Sequence, residues 1–181
     1  MIYFFLNLND ELEEDFNIKP DEKPFKYYYD IIKTKPGELV FFGYAYHCNG
    51  IQFFEINSRK LKEKIFIEYM QERRPVNRLC MINDRCLCAG TNRNITVIDI
   101  YNKSIIRKIE FEGGCSYTLC KLNDNILLSD GGRGIIQWKI TPNNLQLISK
   151  KENVHQSSVV EIIKFGNSIV TCSFDKSIKI W

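Results

Sequence analysis

The sequence predicts an all-β protein, a tandem array of about four small antiparallel sheets. Three observations carry this. A short apolar segment recurs four times in near-constant register, Asn-Asp and glycine turn signals stand between apolar runs of strand length, and the aromatic share of 13% is dominated by Tyr and Phe, which favour strands.

The recurrence is clearest in GIQFFEI, NITVIDI, GIIQWKI and the terminal SIKIW. Aligning Phe54, Ile98, Trp138 and Trp181 gives spacings of 44, 40 and 43 residues. Three residues before each anchor stands an isoleucine: Ile51, Ile95, Ile135 and Ile178. A second recurrence lies upstream, where Leu79-Cys80 followed by Asn83-Asp84 matches Leu119-Cys120 followed by Asn123-Asp124. Asn and Asp initiate turns because their side chains bond neighbouring backbone groups. In the third copy the runs CSYTLCKL, NILLSD, GIIQWKI and LQLISKK are parted by Asn123-Asp124, by DGGRG at 130–134 and by Pro142-Asn143-Asn144. Four short antiparallel strands repeated every ~40–45 residues are the mark of β-propeller blades.

The last copy, with His155, Val159-Val160 and TCSFDKSIKIW, resembles the WD-repeat β-propeller family and its Ser-x-Asp-x-Thr-Ile-x-x-Trp ending. The resemblance runs from about residue 27 and weakens toward the first copy, where Phe54 and Ile98 stand for the tryptophan. The blades are expected at about 27–70, 71–112, 113–154 and 155–181, the last without an outer strand. Four are few beside the roughly seven that the family implies, so an incomplete arc is expected, with exposed edges and apolar blade faces. Residues 1–26 form an acidic N-terminal segment. Within it Ile2–Leu8 alternates like an edge strand, which either closes the last blade or belongs to an earlier one.

Composition narrows the function classes. Net charge is +3; residues 1–24 hold seven acids and two lysines, leaving the remainder mildly basic. No stretch approaches the ~20 apolar residues of a membrane helix. The seven cysteines are odd in number and lack a CxxC pair, so all are expected as free thiols in a reducing, cytoplasmic or nuclear compartment. No metal or cofactor is expected. His47-Cys48 lacks further ligands, and Gly131-Gly132-Arg133-Gly134 leads into a strand, whereas phosphate loops lead into helices.

His155, Thr171 and Asp175 have the residue types of a catalytic triad. The family resemblance implies a structural role instead: with Trp181 they match its tetrad, a hydrogen-bond chain from indole through hydroxyl and imidazole to carboxylate. No catalytic residue is assigned. Alternation of strand direction puts the interblade loops and the hairpins between second and third strands on one face. Arg73, Arg74, Asn92, Arg93, Tyr117, Arg133, Phe174 and Lys176 are expected there, with Glu72, Glu112 and Asp130 nearby. Arg and aromatic residues make interface hot spots, and arginine forks suit carboxylates and phosphates. The expected function is a non-catalytic protein-interaction scaffold, reading in its sharper form an acidic or phosphorylated segment. A nucleic-acid or chromatin adaptor is the first alternative; it lacks regularly spaced stacking aromatics around Arg73, Arg74 and Arg78, which are read as a solvated cluster. A hydrolase is the second.

Overall fold

A computed structural model describes residues 5–6, 12–13, 27–45, 48–58, 60–69, 78–91, 94–111 and 117–181. The described residues are all-β, without a helix. Three sheets of four antiparallel strands and one of three follow one another along the chain, an incomplete arc of propeller blades.

The first blade comprises β3 (Tyr27–Lys35), β4 (Glu38–Ala45), β5 (Cys48–Glu55) and β6 (Lys60–Tyr69). The second has β7 (Arg78–Met81), β8 (Cys86–Gly90), β9 (Asn94–Asp99) and β10 (Ser104–Glu110). The third has β11 (Leu119–Asn123), β12 (Ile126–Gly131), β13 (Gly134–Thr141) and β14 (Asn144–Lys151). The fourth has only β15 (Val159–Phe165), β16 (Ser168–Ser173) and β17 (Ile178–Ile180). Each blade is a meander of neighbouring strands. The first strands meet in order, β3 on β7, β7 on β11 and β11 on β15, and form the inner lining of the arc. Ahead of the blades, β1 (Phe5–Leu6) pairs with β2 (Leu12–Glu13), and the last blade keeps three strands. The remainder of Ile2–Leu8 lies outside the described residues.

The turns follow from the residues that make them. Asn83 Oδ1 accepts the Arg85 and Cys86 amides at 2.9 and 2.7 Å, and Asn123 Oδ1 accepts the Asn125 amide at 2.9 Å. These equivalent turns join first to second strands. At the hairpin of the third blade Gly132 has φ 71°, a region open to glycine without steric cost. A Cβ at Gly134 would collide with the Lys151 carbonyl.

Alternation within strands sorts side chains toward the preceding or the following blade. Between blades one and two lie Val40, Ile51, Phe53 and Ile67 against Leu79, Leu87, Ala89, Ile98 and Ile100. Between two and three lie Cys86, Cys88, Ile95 and Val97 against Leu119, Leu127, Ile136 and Trp138. Between three and four Leu128 and Ile135 meet Val154, Val159 and Ile162. Both faces of β8 and β9 are thus covered, and every residue of those two strands is buried. On the fourth blade the following face is bare: Phe165, Ile178 and Ile180 are 72, 73 and 71% exposed.

Candidate functional site

The structure brings His155, Thr171, Asp175 and Trp181 into one chain of hydrogen bonds. Register explains it. Thr171 stands in the middle of β16, opposite Ile162, and Trp181 follows β17, exchanging backbone bonds with Ile169. The indole Nε1–H of Trp181 donates to Thr171 Oγ1 at 3.1 Å. Thr171 Oγ1 is 2.8 Å from His155 Nε2, and His155 Nδ1 is 3.0 Å from Asp175 Oδ2. Because the ionised Asp175 carboxylate can only accept, the imidazole proton sits on Nδ1 and faces it; Nε2 then accepts the Thr171 O–H, while Thr171 Oγ1 accepts the indole proton.

Asp175 is the most heavily hydrogen-bonded member. The Ser177 hydroxyl donates to Oδ1 at 2.6 Å, the Ser177 amide to Oδ1 at 2.9 Å and the Gln156 amide to Oδ2 at 2.8 Å. The Ser177 hydroxyl first, then these amides and His155, hold its carboxyl well below the usual carboxylate range, with burial opposing. Donors converging on an anion favour the charged form. The side chains of His155 and Thr171 are buried, so Thr171 Oγ has no open face on which a substrate could be attacked. What the arrangement accomplishes is connection: the 153–158 loop, the middle of β16 and the 174–177 hairpin are held by one network.

That network borders a rim. His155 N–H donates to the Arg133 carbonyl at 3.0 Å, Val159 N–H to that of Gly132 at 2.8 Å, and Phe174 N–H to that of Ser158 at 3.1 Å. The hairpins of blades three and four are therefore bridged through one interblade loop. On this rim Arg133, Phe174 and Lys176 are exposed and Tyr117 is half-buried. Tyr117 meets Phe174 edge to face with ring centroids 6.0 Å apart. Lys176 adopts φ 67° in its turn. Arg73, Arg74, Asn92 and Arg93 lie outside the described residues, as do His47, Glu72 and Glu112.

Two expectations are corrected. Asp130 is not a surface counter-charge: it is 0% exposed, because it shares the β12 face of Leu128, which packs against the fourth blade. Arg78, still half-exposed, is a paired cation rather than part of a free solvated cluster. Its guanidinium pairs with Glu161 of β15, whose other oxygen accepts the Thr118 hydroxyl at 2.9 Å. Thr118 Oγ1 in turn accepts the Ile162 amide at 3.1 Å, and Asp30 Oδ2 accepts the Leu79 amide at 2.7 Å. Asp30, Arg78, Thr118 and Glu161 hold equivalent places, each just before the residue paired with the middle of the second strand. They stitch the inner strands together. As a ring they were not legible in the sequence, where Arg78 alone stood out, because their residue types differ while their positions agree.

Cys80, Cys86, Cys88, Cys120 and Cys172 are free thiols; burial pushes the Cys80 thiol up to about 11. The Cys48 side chain and Cys115 lie outside the described residues.

Against solved structures, the chain is similar to the computationally designed Ika4 protein, with TM-score 0.68 and 19% identity over 90% of this chain and 94% of that one. It is also similar to the WD40 β-propeller domain of Doa1, with TM-score 0.64 and 17% identity over 84% of this chain and 50% of that one. Hydrazine synthase of Kuenenia stuttgartiensis matches with TM-score 0.64 and 9% identity, over 80% of this chain and 55% of that one. The likeness is one of fold, and the chain spans about half the length of the last two. No family model and no curated protein matches by sequence.

Proposed function

We propose that the chain is a non-catalytic protein-interaction scaffold that takes an acidic or phosphorylated segment of a partner on the rim of its third and fourth blades. One observation carries the reading: Arg133, Phe174 and Lys176 stand exposed on hairpins that the 153–159 loop bonds together, with Tyr117 braced against Phe174. A charged fork, an ammonium and an aromatic edge on rigid backbone are what charge-assisted recognition of an anionic peptide uses. Asp175, the carboxylate beside them, is already engaged by donors from its own blade. The propeller likeness supports the coarse part of this proposal, since stacked blades bring the loops of neighbouring sheets side by side. A partner of this kind belongs in the cytoplasm or nucleus.

The burial of Thr171 and its bond to Trp181 favour a bracing role for the His155 network over catalysis. The test is titration of glutamate-rich and phosphoserine-bearing peptides onto the wild type and onto Arg133→Glu combined with Lys176→Glu. The wild type should bind with an affinity that falls as salt rises, because exposed charges are screened over about 8–10 Å at physiological ionic strength. The variant should lose binding at an unchanged melting temperature. Equal binding by both proteins would remove the rim from consideration.

A further inference from the structure

Among the described residues of this rim, Asp130 is a feature that blade architecture does not require. Register places Phe42, Gly90 and Cys172 at the matching positions of the other blades, and none of them is an acid. Its carboxyl is fully buried. Oδ1 accepts the Thr118 amide at 3.0 Å, whereas Oδ2 is buried without a hydrogen-bond partner. An ionised carboxylate in an apolar seam with an oxygen unsatisfied is far costlier than the neutral acid.

The location makes this consequential. Asp130 is the penultimate residue of β12, next to Gly131 and two residues before Gly132, at the hairpin that carries Arg133. Its hydrogen-bonded partner Thr118 directly follows Tyr117, which rests on Phe174. Thr118 also accepts the Ile162 amide and donates to Glu161, which pairs with Arg78. A displacement of Thr118 therefore reaches blades two and four.

We propose that Asp130 is a proton-operated brace of the rim: neutral, it holds the Tyr117–Thr118 segment against the 131–134 hairpin, and ionised, it loosens both, so that capture of an acidic segment weakens in alkaline solution. This rests on the rim being the partner surface. Two physical effects act in the same direction. Ionisation is relieved by admitting water, which parts the segment from the hairpin, and a new negative charge three residues before Arg133 repels an acidic ligand. Burial raises the Asp130 carboxyl to about 7, with the amides of Thr118, Tyr117 and Gly132 pulling the other way. The charged groups of the elements around it are otherwise engaged or turned outward. Glu161 on β15 pairs with Arg78 on β7, Lys150 on β14 pairs with Glu152, and His155 pairs with Asp175. Arg133 is exposed.

The experiment follows the Thr118 and Gly132 amide resonances from pH 5 to 8.5 in the wild type, Asp130→Asn and Glu161→Gln, alongside the affinity for a glutamate-rich peptide. Both amides should titrate together with a midpoint at about 7 in the wild type and in Glu161→Gln, and stay still in Asp130→Asn. Peptide binding should weaken roughly five- to tenfold between pH 6 and pH 8 in the wild type and less than about twofold in Asp130→Asn, as expected when a proton is linked to the bound state. Amides that do not move in the wild type, or that move equally in Asp130→Asn, overturn the brace. Binding that occurs with the same affinity at both pH values overturns its coupling to the rim. Titrating amides with no peptide bound at any pH keep the brace and remove the partner reading.

Discussion

Replacing His155 by alanine tests whether the tetrad acts as a unit. The imidazole is buried, with Nε2 2.8 Å from Thr171 Oγ1 and Nδ1 3.0 Å from Asp175 Oδ2. Truncation removes both bonds, leaves the Thr171 hydroxyl without its acceptor in a site from which water is excluded, and opens a void the size of the ring. A net hydrogen bond contributes about 0.5–1.5 kcal/mol, and a buried polar group left unsatisfied costs about 1–3 kcal/mol. A loss of about 2–4 kcal/mol follows for His155→Ala. For a chain of 150–250 residues each kcal/mol lowers the melting temperature by about 2–4 °C. Thr171→Val removes the hydroxyl at nearly constant shape but leaves the buried His155 Nε2 without its donor, so about 1–3 kcal/mol should be lost. In the double variant no hydroxyl remains to be orphaned. Its loss, read by urea denaturation, should fall short of the sum by at least about 0.5 kcal/mol, the signature of residues sharing a network. Strictly additive losses would refute the argument that the hydroxyl is the link between indole and imidazole.

Three further outcomes are expected. The Asp130 carboxyl is raised in the folded chain to about 7 from an unfolded value near 4. Its contribution to stability is therefore fully present below about pH 4 and lost as pH rises through 7, so wild type should fall by about 3–4 kcal/mol relative to Asp130→Asn between pH 4 and pH 8 in denaturant titrations. In blade three, Trp138 Nε1–H donates to Ser129 Oγ at 2.8 Å within the core; Trp138→Phe should cost about 1–3 kcal/mol, and Ser129→Ala in that background should cost little more. On the bare face, Phe165→Lys combined with Ile180→Lys should lower light scattering at high protein concentration while moving stability by no more than about 0.5 kcal/mol per site, because neither side chain is packed; a large loss of stability would show that the face is covered.

Much of the fold was legible because blade architecture is written locally. The isoleucines at 51, 95, 135 and 178 all sit in third strands, and the Asn-Asp turns bond their own backbone, so period and punctuation sufficed. The tetrad was legible through its likeness to a family motif. The inner ring of Asp30, Arg78, Thr118 and Glu161 was not, since its members share a position and no residue type. Nor was the status of Asp130: in sequence it opens a DGGRG turn and reads as a solvated acid, and only the packing of blade four over β12 encloses it.

The sequence by itself determined which segments become strands, where they turn and how many blades follow one another, because alternation and turn chemistry act over a few neighbouring residues. Tertiary structure decided which of those strands have two covered faces. Ile51 and Ile95 are 0% exposed, Ile135 is 8% exposed and Ile178 is 73% exposed. The four residues are chemically identical and identically placed within their blades. What separates them is whether another blade stands beyond, and the burial free energy of an isoleucine, about 1.5–3 kcal/mol, belongs to that contact between distant segments of the chain.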